Sequence, residues 1–282
     1  MSTVCILGAG ELGGAVADAL ARGERVARVI LIDGAGTVAA GKALDMQQTG
    51  AVAGFHTRLE GSADFTRVAG CSVCVVADRA GPASAEWQGE EGFAMLTRLL
   101  PYLDAAPIVF AGTVQTEMLG MIARESRVPG RQLIGSASEA LASAVTAVVA
   151  MEAGCSPSEV RVTVLGAPPS GFMVPWSEAS IGGLSLERVL TQVQLNRLEA
   201  RLSRLWPPGP FTLGLAAARV AEAIVQSSRR AHSVLTVLGG EFGVRGKVAA
   251  VPSLLTPDGI SQTRVPTLST RERVLLETAL GA

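Results

Sequence analysis

The segment Val4-Cys5-Ile6-Leu7-Gly8-Ala9-Gly10-Glu11-Leu12-Gly13 constrains this chain more than any other stretch. An apolar run enters a glycine turn, and a helical pattern from Ala15 to Arg22 leaves it. In a strand–turn–helix of this kind Gly8 permits the tight turn. Gly10 removes the Cβ that would block a close-lying pyrophosphate, and Gly13 lets the helix pack on the strand. The unpaired amides of the first helical turn, at Glu11, Leu12 and Gly13, favour an anion. A second apolar run, Val26 to Ile32, ends in Asp33, 20 residues beyond Gly13, where a carboxylate holds a ribose 2′-OH and repels a 2′-phosphate. The pattern predicts a cofactor site for NAD rather than NADP, formed by Gly8, Gly10, Glu11, Leu12, Gly13 and Asp33. The competing reading is a glycine turn that holds nothing.

The turn opens a longer alternation. Strand patterns fall near 3–7, 27–32, 55–60, 72–77 and 107–112, and helix patterns near 11–22, 37–48, 87–100, 115–125 and 137–152. Unbroken runs such as Val73-Cys74-Val75-Val76 suit parallel strands covered on both faces. The alternation predicts an α/β fold with an N-terminal doubly wound parallel sheet and a site at the carboxyl ends of its strands. With 282 residues, 48% hydrophobic and 17% charged, the chain can build a large core and a second region. A net charge of −1 argues against nucleic-acid and anionic-membrane partners. No apolar run reaches the roughly 18 residues needed to span a membrane, and the first residues carry no signal-peptide pattern, so a cytoplasmic location is expected. Cys71-Ser72-Val73-Cys74 has C-x-x-C spacing but no second Cys/His pair. Placed on a strand, its two thiols should face opposite sides, so no metal site is expected and reduced buried thiols are the reading.

The second half changes character. Val160 to Gly166 reads as a strand, Ala167-Pro168-Pro169-Ser170-Gly171 as a turn, and Phe172 to Pro175 as extended chain. Leu186, Val189, Leu190, Val193, Leu198, Leu202 and Leu205 lie at helical spacing and predict one long amphipathic helix. Pro207-Pro208-Gly209-Pro210 breaks it before a helix near 215–228, strands near 231–238, 247–255 and 259–263, and a last helix with a Ser269-x-x-Glu272 capping box. The predicted division is 1–140, a dinucleotide-binding (Rossmann) region, and 141–282, an α+β region.

These residues resemble the NAD-dependent malate/lactate dehydrogenase family. Gly41-Lys42-Ala43-Leu44-Asp45-Met46 is similar to the family's GKALDM run, followed in order by Gly54-Phe55, Asp64-Phe65 and Ala69-Gly70-Cys71-Ser72. Leu165-Gly166 and Met173-Val174-Pro175 flank the place of the family's catalytic histidine loop, and Gly239 to Gly243 with Val251-Pro252 resembles its late hairpin and following strand. The resemblance implies a Rossmann domain with an α+β substrate domain, NAD as cofactor, and hydride transfer from a 2-hydroxy acid. In that reaction a histidine takes the proton, an aspartate orients it, one arginine grips the carboxylate, and a second arginine polarises the carbonyl.

The family's reacting side chains do not carry over. The histidine's loop is Gly166-Ala167-Pro168-Pro169-Ser170-Gly171-Phe172, one residue longer than the family pattern and without a histidine. The orienting aspartate falls on Leu141 and the gripping arginine on Ala144. The loop arginines fall on Pro82 and Gln88, and the substrate asparagine on Gly112 or Thr113. The two histidines of the chain, His56 and His232, read as an edge residue and a strand-start residue, and Arg79 as a solvated loop arginine. Glu86, Glu90 and Glu91 read as negative charge at the start of the next helix. The loop after the fourth strand also departs from the family: Ala77-Asp78-Arg79 replaces its TAG, placing a negative charge near the pyrophosphate path. The sequence therefore predicts no catalytic residues and a pseudoenzyme that binds NAD(H), forming a homo-oligomer or a hetero-oligomer with a related active subunit. The alternative is an active NAD-dependent oxidoreductase with an altered substrate and non-standard catalytic residues.

Overall fold

The computed structural model describes residues 2–81 and 85–281. The first half alternates as the patterns predict: β1 (Thr3–Leu7), α1 (Glu11–Gly23), β2 (Arg28–Ile32), α2 (Gly36–Ala53), β3 (Arg58–Ser62), β4 (Val73–Val76), α3 (Gly89–Leu103), β5 (Ile108–Phe110) and α4 (Thr116–Glu125). β6 (Leu133–Gly135) and α5 (Ala137–Ala153) follow. The strands pair parallel in the order β3-β2-β1-β4-β5-β6.

Strand alternation sends successive side chains to two cores. Val4, Ile6, Val73 and Val75 pack on one face with residues of α1 and the later helix 210–226, while Cys5, Leu7, Cys74 and Val76 pack on the other with α3 and α4. Burial on both faces accounts for the unbroken apolar runs. The chain reverses direction across the sheet between β1 and β4, which places a crevice at their carboxyl ends.

The second half contributes β7 (Val160–Arg161), β8 (Leu165–Ala167), β9 (Gly171–Met173), β10 (Ser180–Ile181), β11 (Leu184–Ser185), α6 (Leu186–Val189), α7 (Gln192–Leu202) and α8 (Pro210–Gln226). β12 (His232–Gly239), β13 (Arg245–Thr256), β14 (Gly259–Thr263) and α9 (Thr270–Leu280) complete it. β12 joins the parallel sheet through Leu235 opposite Gly135, and the sheet then runs antiparallel through β13, β8 and β9. The result is a mixed α/β fold with a large, parallel-dominated sheet, as the sequence predicts. Position 140 lies within α5, and the sheet continues across it.

Four local expectations are corrected. The long helix over 186–205 is two helices and a short 3₁₀ turn, because Thr191 caps α7: its side chain accepts from the amide of Gln194, whose own side chain accepts from Thr191. The helical leucine spacing runs across this break and hides it. Val160 to Gly166 divides into β7, which pairs with β10, and β8, which pairs with β13. α8 begins at Pro210, a proline tolerated in the first turn, rather than near 215. Cys71 precedes β4 in a turn instead of lying on the strand, so Cys71 and Cys74 pack in the same core with Cys5. The Cys5 thiol is pushed far up by its contact with Cys71 and by burial. No helix among the described residues is long and apolar enough to cross a membrane. The capping box at Ser269 and Glu272 forms as predicted.

Candidate functional site

The predicted cofactor residues come together at the carboxyl ends of β1 and β2. Gly8 has φ +116°, and a Cβ there would overlap the backbone of Asp78. Gly13, in the first turn of α1, packs against the carbonyl of Gly8. Asp33 is 4% exposed. One of its oxygens accepts from the amides of Ala9 (2.9 Å) and Ala80 (2.8 Å), the other from the amide of Ala35 (2.8 Å). Lys42, from the GKALDM run on α2, donates to the carbonyl of Gly10 at 2.7 Å.

Two of the three first-turn amides of α1, those of Leu12 and Gly13, are already taken. The loop after β4 folds back as a narrow hairpin in which Arg79 N–H donates to the Ala85 carbonyl (2.8 Å) and Trp87 N–H to the Ala77 carbonyl (3.0 Å). The hairpin delivers Asp78, 4% exposed, to the helix start. Its carboxylate accepts from the amides of Gly13 (2.8 Å) and Leu12 (3.1 Å), and its backbone carbonyl accepts from Gly10 N–H at 3.0 Å. A Cβ at Gly10 would overlap this carboxylate. The space predicted for a pyrophosphate is thus lined by an internal anion, which the N-terminal end of the helix stabilises as it would a ligand.

Arg79 does not offset that charge. Its guanidinium pairs with Glu91 at 2.7 Å and lies 5.0 Å above the Trp87 ring. A second anion of unit charge about 4 Å from Asp78 would meet repulsion of roughly 4 kcal/mol at an effective dielectric of about 20, which the Lys42 ammonium on the Gly10 carbonyl offsets in part. With Asp78 in place, the residues present do not fit a dinucleotide pyrophosphate.

The far end of the hairpin is also anchored. Glu86, expected from the sequence to sit at the start of the next helix, instead accepts from the amides of Thr113 (3.0 Å) and Val114 (2.9 Å) beyond β5. A Cβ at Gly112 would overlap its carboxylate. Gln115, fully buried, accepts from Gly112 N–H and donates to the Ala77 carbonyl, both at 2.9 Å. Sequence reasoning missed Glu86 and Gln115, and the only available signal was the departure from TAG at Asp78. Glu90 and Glu91 do lie in the first turn of α3.

The loop between β8 and β9 carries Pro168, Pro169 and Ser170, whose hydroxyl donates to the Ala167 carbonyl at 2.7 Å. The cleft beside the prolines is bordered by Thr113, Val114, Trp206 and Pro207, with Glu117 and Arg124 as its charged residues. Leu141 is fully buried in α5, Ala144 is half-buried on the same helix, and Gln88 precedes α3. Pro82 lies outside the described residues. His232, at the start of β12, is buried against Glu139 at 3.0 Å, while His56 is exposed beside Glu24 at 3.1 Å. Neither borders the cleft. Among the described residues no cluster of histidine, cysteine and acidic side chains could hold a metal ion.

No family model matches the chain. It is 27% identical to a malate dehydrogenase of Cytophaga hutchinsonii, over 98% of this chain and 94% of that protein. Its fold superposes on the malate dehydrogenase of Salinibacter ruber with a TM-score of 0.86, at 22% identity and over 99% and 94% of the two chains. A lactate dehydrogenase from Cryptosporidium parvum, complexed with lactic acid and nicotinamide adenine dinucleotide, gives 0.88 at 20% identity over 99% and 94%. The solved structures share the fold, and the sequence relatives make the chain malate/lactate dehydrogenase-like. As a malate/lactate dehydrogenase-like chain, it keeps the fold from end to end while its glycine turn is closed by its own fourth-strand loop.

Proposed function

We propose that this malate/lactate dehydrogenase-like protein does not oxidise 2-hydroxy acids and acts as a structural or regulatory pseudoenzyme. The observation that carries the reading is the β8–β9 loop: from Gly166 to Phe172 no side chain titrates near neutral pH, and the one hydroxyl, that of Ser170, is donated to the Ala167 carbonyl. Neither histidine reaches the cleft beside it. A positioned acid–base group contributes ~10²–10⁴-fold to such a reaction. Replacement of the carboxylate-gripping arginine by Ala144 removes a further charge-assisted pair, although such losses do not simply add. NAD(H) is the ligand that the family implies for Gly8, Gly10, Glu11, Leu12, Gly13 and Asp33. Its entry requires Asp78 to leave the amides of Leu12 and Gly13.

Assembly is the role left to the intact scaffold. Leu44 and Val52 on α2, and Phe211 and Leu215 on α8, expose apolar side chains, which suits pairing with a second copy or with a related active subunit. The decisive experiment is spectrophotometric. Purified chain with NADH and oxaloacetate or pyruvate is expected to give no turnover above buffer, and steady NADH consumption proportional to protein would refute the reading. The alternative of an active oxidoreductase draws support from Glu117 and Arg124 in the cleft. It predicts NAD reduction with some member of an alcohol panel, abolished by Glu117→Gln or Arg124→Ala.

A further inference from the structure

We infer that Asp78 is a built-in occupant of the dinucleotide cradle, so that this chain excludes NAD(H) and other pyrophosphate-bearing nucleotides while Asp78 holds the Leu12 and Gly13 amides. The inference rests on the family reading above, which supplies the expectation of a dinucleotide. Four features support it, the first two of them consequences of where the Asp78 carboxylate sits. Both carboxylate oxygens of the buried Asp78 are spent on the Leu12 and Gly13 amides, two of the three first-turn donors an incoming phosphate would use. The space left by the absent Cβ of Gly10 is filled by that carboxylate. Asp33 already accepts three backbone amides, one of them from Ala80 of the same loop. The loop is pinned at both ends, by its own backbone bridge and by Glu86 on the Thr113 and Val114 amides, so Asp78 is not a loose side chain that drifts aside.

A helix cap that a ligand displaces at no cost would show the same hydrogen bonds, so the test must separate exclusion from capping. The full chain, Asp78→Ala and Asp78→Asn are titrated with NADH by calorimetry and by nicotinamide fluorescence, with circular dichroism to establish folding. The unmodified chain is expected to show no saturable binding, and the folded variants to gain at least ~10-fold in affinity and a rise in melting temperature with NADH. Asp78→Asn keeps the size of the side chain and one acceptor, so it serves where the alanine variant fails to fold. The unmodified chain binding NADH within about threefold of the variants overturns the inference, as does a folded variant that gains nothing. Oxaloacetate reduction is followed in the same samples. NADH binding by the unmodified chain without turnover removes the exclusion and leaves the pseudoenzyme reading intact. A variant that binds NADH and then reduces oxaloacetate leaves the exclusion intact and removes the ground of the pseudoenzyme reading, the lack of catalytic groups, leaving cofactor exclusion as the cause of inactivity.

Discussion

At the head of α1 the chain keeps Gly8, Gly10, Gly13 and Asp33 and fills the space between them; between β8 and β9 it keeps the flanking Leu165-Gly166 and Met173-Val174-Pro175 and leaves the middle without a titratable group. The two regions differ in what their chemistry is made of. The anion donors of the cradle are backbone amides, so substitution does not delete them, and closing it takes something placed over them, here the Asp78 carboxylate. The chemistry that the resemblance assigns to the β8–β9 loop depends on side chains, so on the proposed reading substitution alone removes it. Closure by one residue can be undone by one residue, whereas replacing several cooperating side chains cannot.

The severest test of the cradle is Gly8→Ala. A left-handed φ costs an alanine ~1–3 kcal/mol, and its Cβ must also push the Asp78 backbone aside, which adds an overpacking cost of similar size. A loss of about 3–5 kcal/mol is expected in urea unfolding. A loss below ~1 kcal/mol would mean that the turn does not press on the fourth-strand loop, and the contrast would fall.

Asp78→Ala comes next. Removing an acceptor of two buried charge-assisted hydrogen bonds is expected to cost about 2–3 kcal/mol without ligand, less whatever water restores at Leu12 and Gly13. Saturating NADH is expected to recover part of that loss in the variant and to change nothing in the unmodified chain. Pro169→His probes the other region and is expected to shift stability by less, about 1 kcal/mol, because Pro169 is exposed at the tip of the loop. On the proposed reading it is also expected to leave oxaloacetate turnover undetectable, since the resemblance puts the orienting acid at Leu141 and the carboxylate grip at Ala144. Turnover restored by this single change would show that the loop had lost one group rather than a set.

The same distinction governs what the sequence reveals. The alternation of the first half, the turn at Gly8 to Gly13, Asp33 and the Ser269 cap are local patterns with local causes, and each stands where its residues predict. Asp78 is legible only as a departure. Its partners are 66 and 65 residues away, and nothing local to Ala77-Asp78-Arg79 says that the side chain turns inward. Glu86 was misplaced for the same reason, because its partners Thr113 and Val114 lie across the next helix and strand. The break between α6 and α7 had a local signal, Thr191-x-x-Gln194, which the continuing leucine period outweighed. β6 is only three residues long, too short for any period to show.

The smallest expected effect separates two kinds of buried or half-buried carboxylate within the parallel half. Glu60 on β3 is held by Arg28 at 2.7 Å and Arg67 at 2.6 Å, which lower its pKa to about 2 despite the opposing cost of burial. Because the folded pKa lies below the unfolded value near 4.3, the paired carboxylate stabilises the fold fully above that value. The contribution disappears as the pH falls towards 2. All three side chains are partly exposed, so the gain is discounted to below ~1 kcal/mol. Glu60→Gln is therefore expected to lower the melting temperature slightly at pH 6, to match the parent near pH 2, and to differ less from it in 1 M salt. Asp78→Ala, by contrast, is expected to keep its full deficit in 1 M salt, because that carboxylate is paired with buried amides rather than with solvent-facing cations. If salt erased the Asp78 deficit as well, the carboxylate would be exposed to solvent ions, and the cradle would be open to a dinucleotide after all.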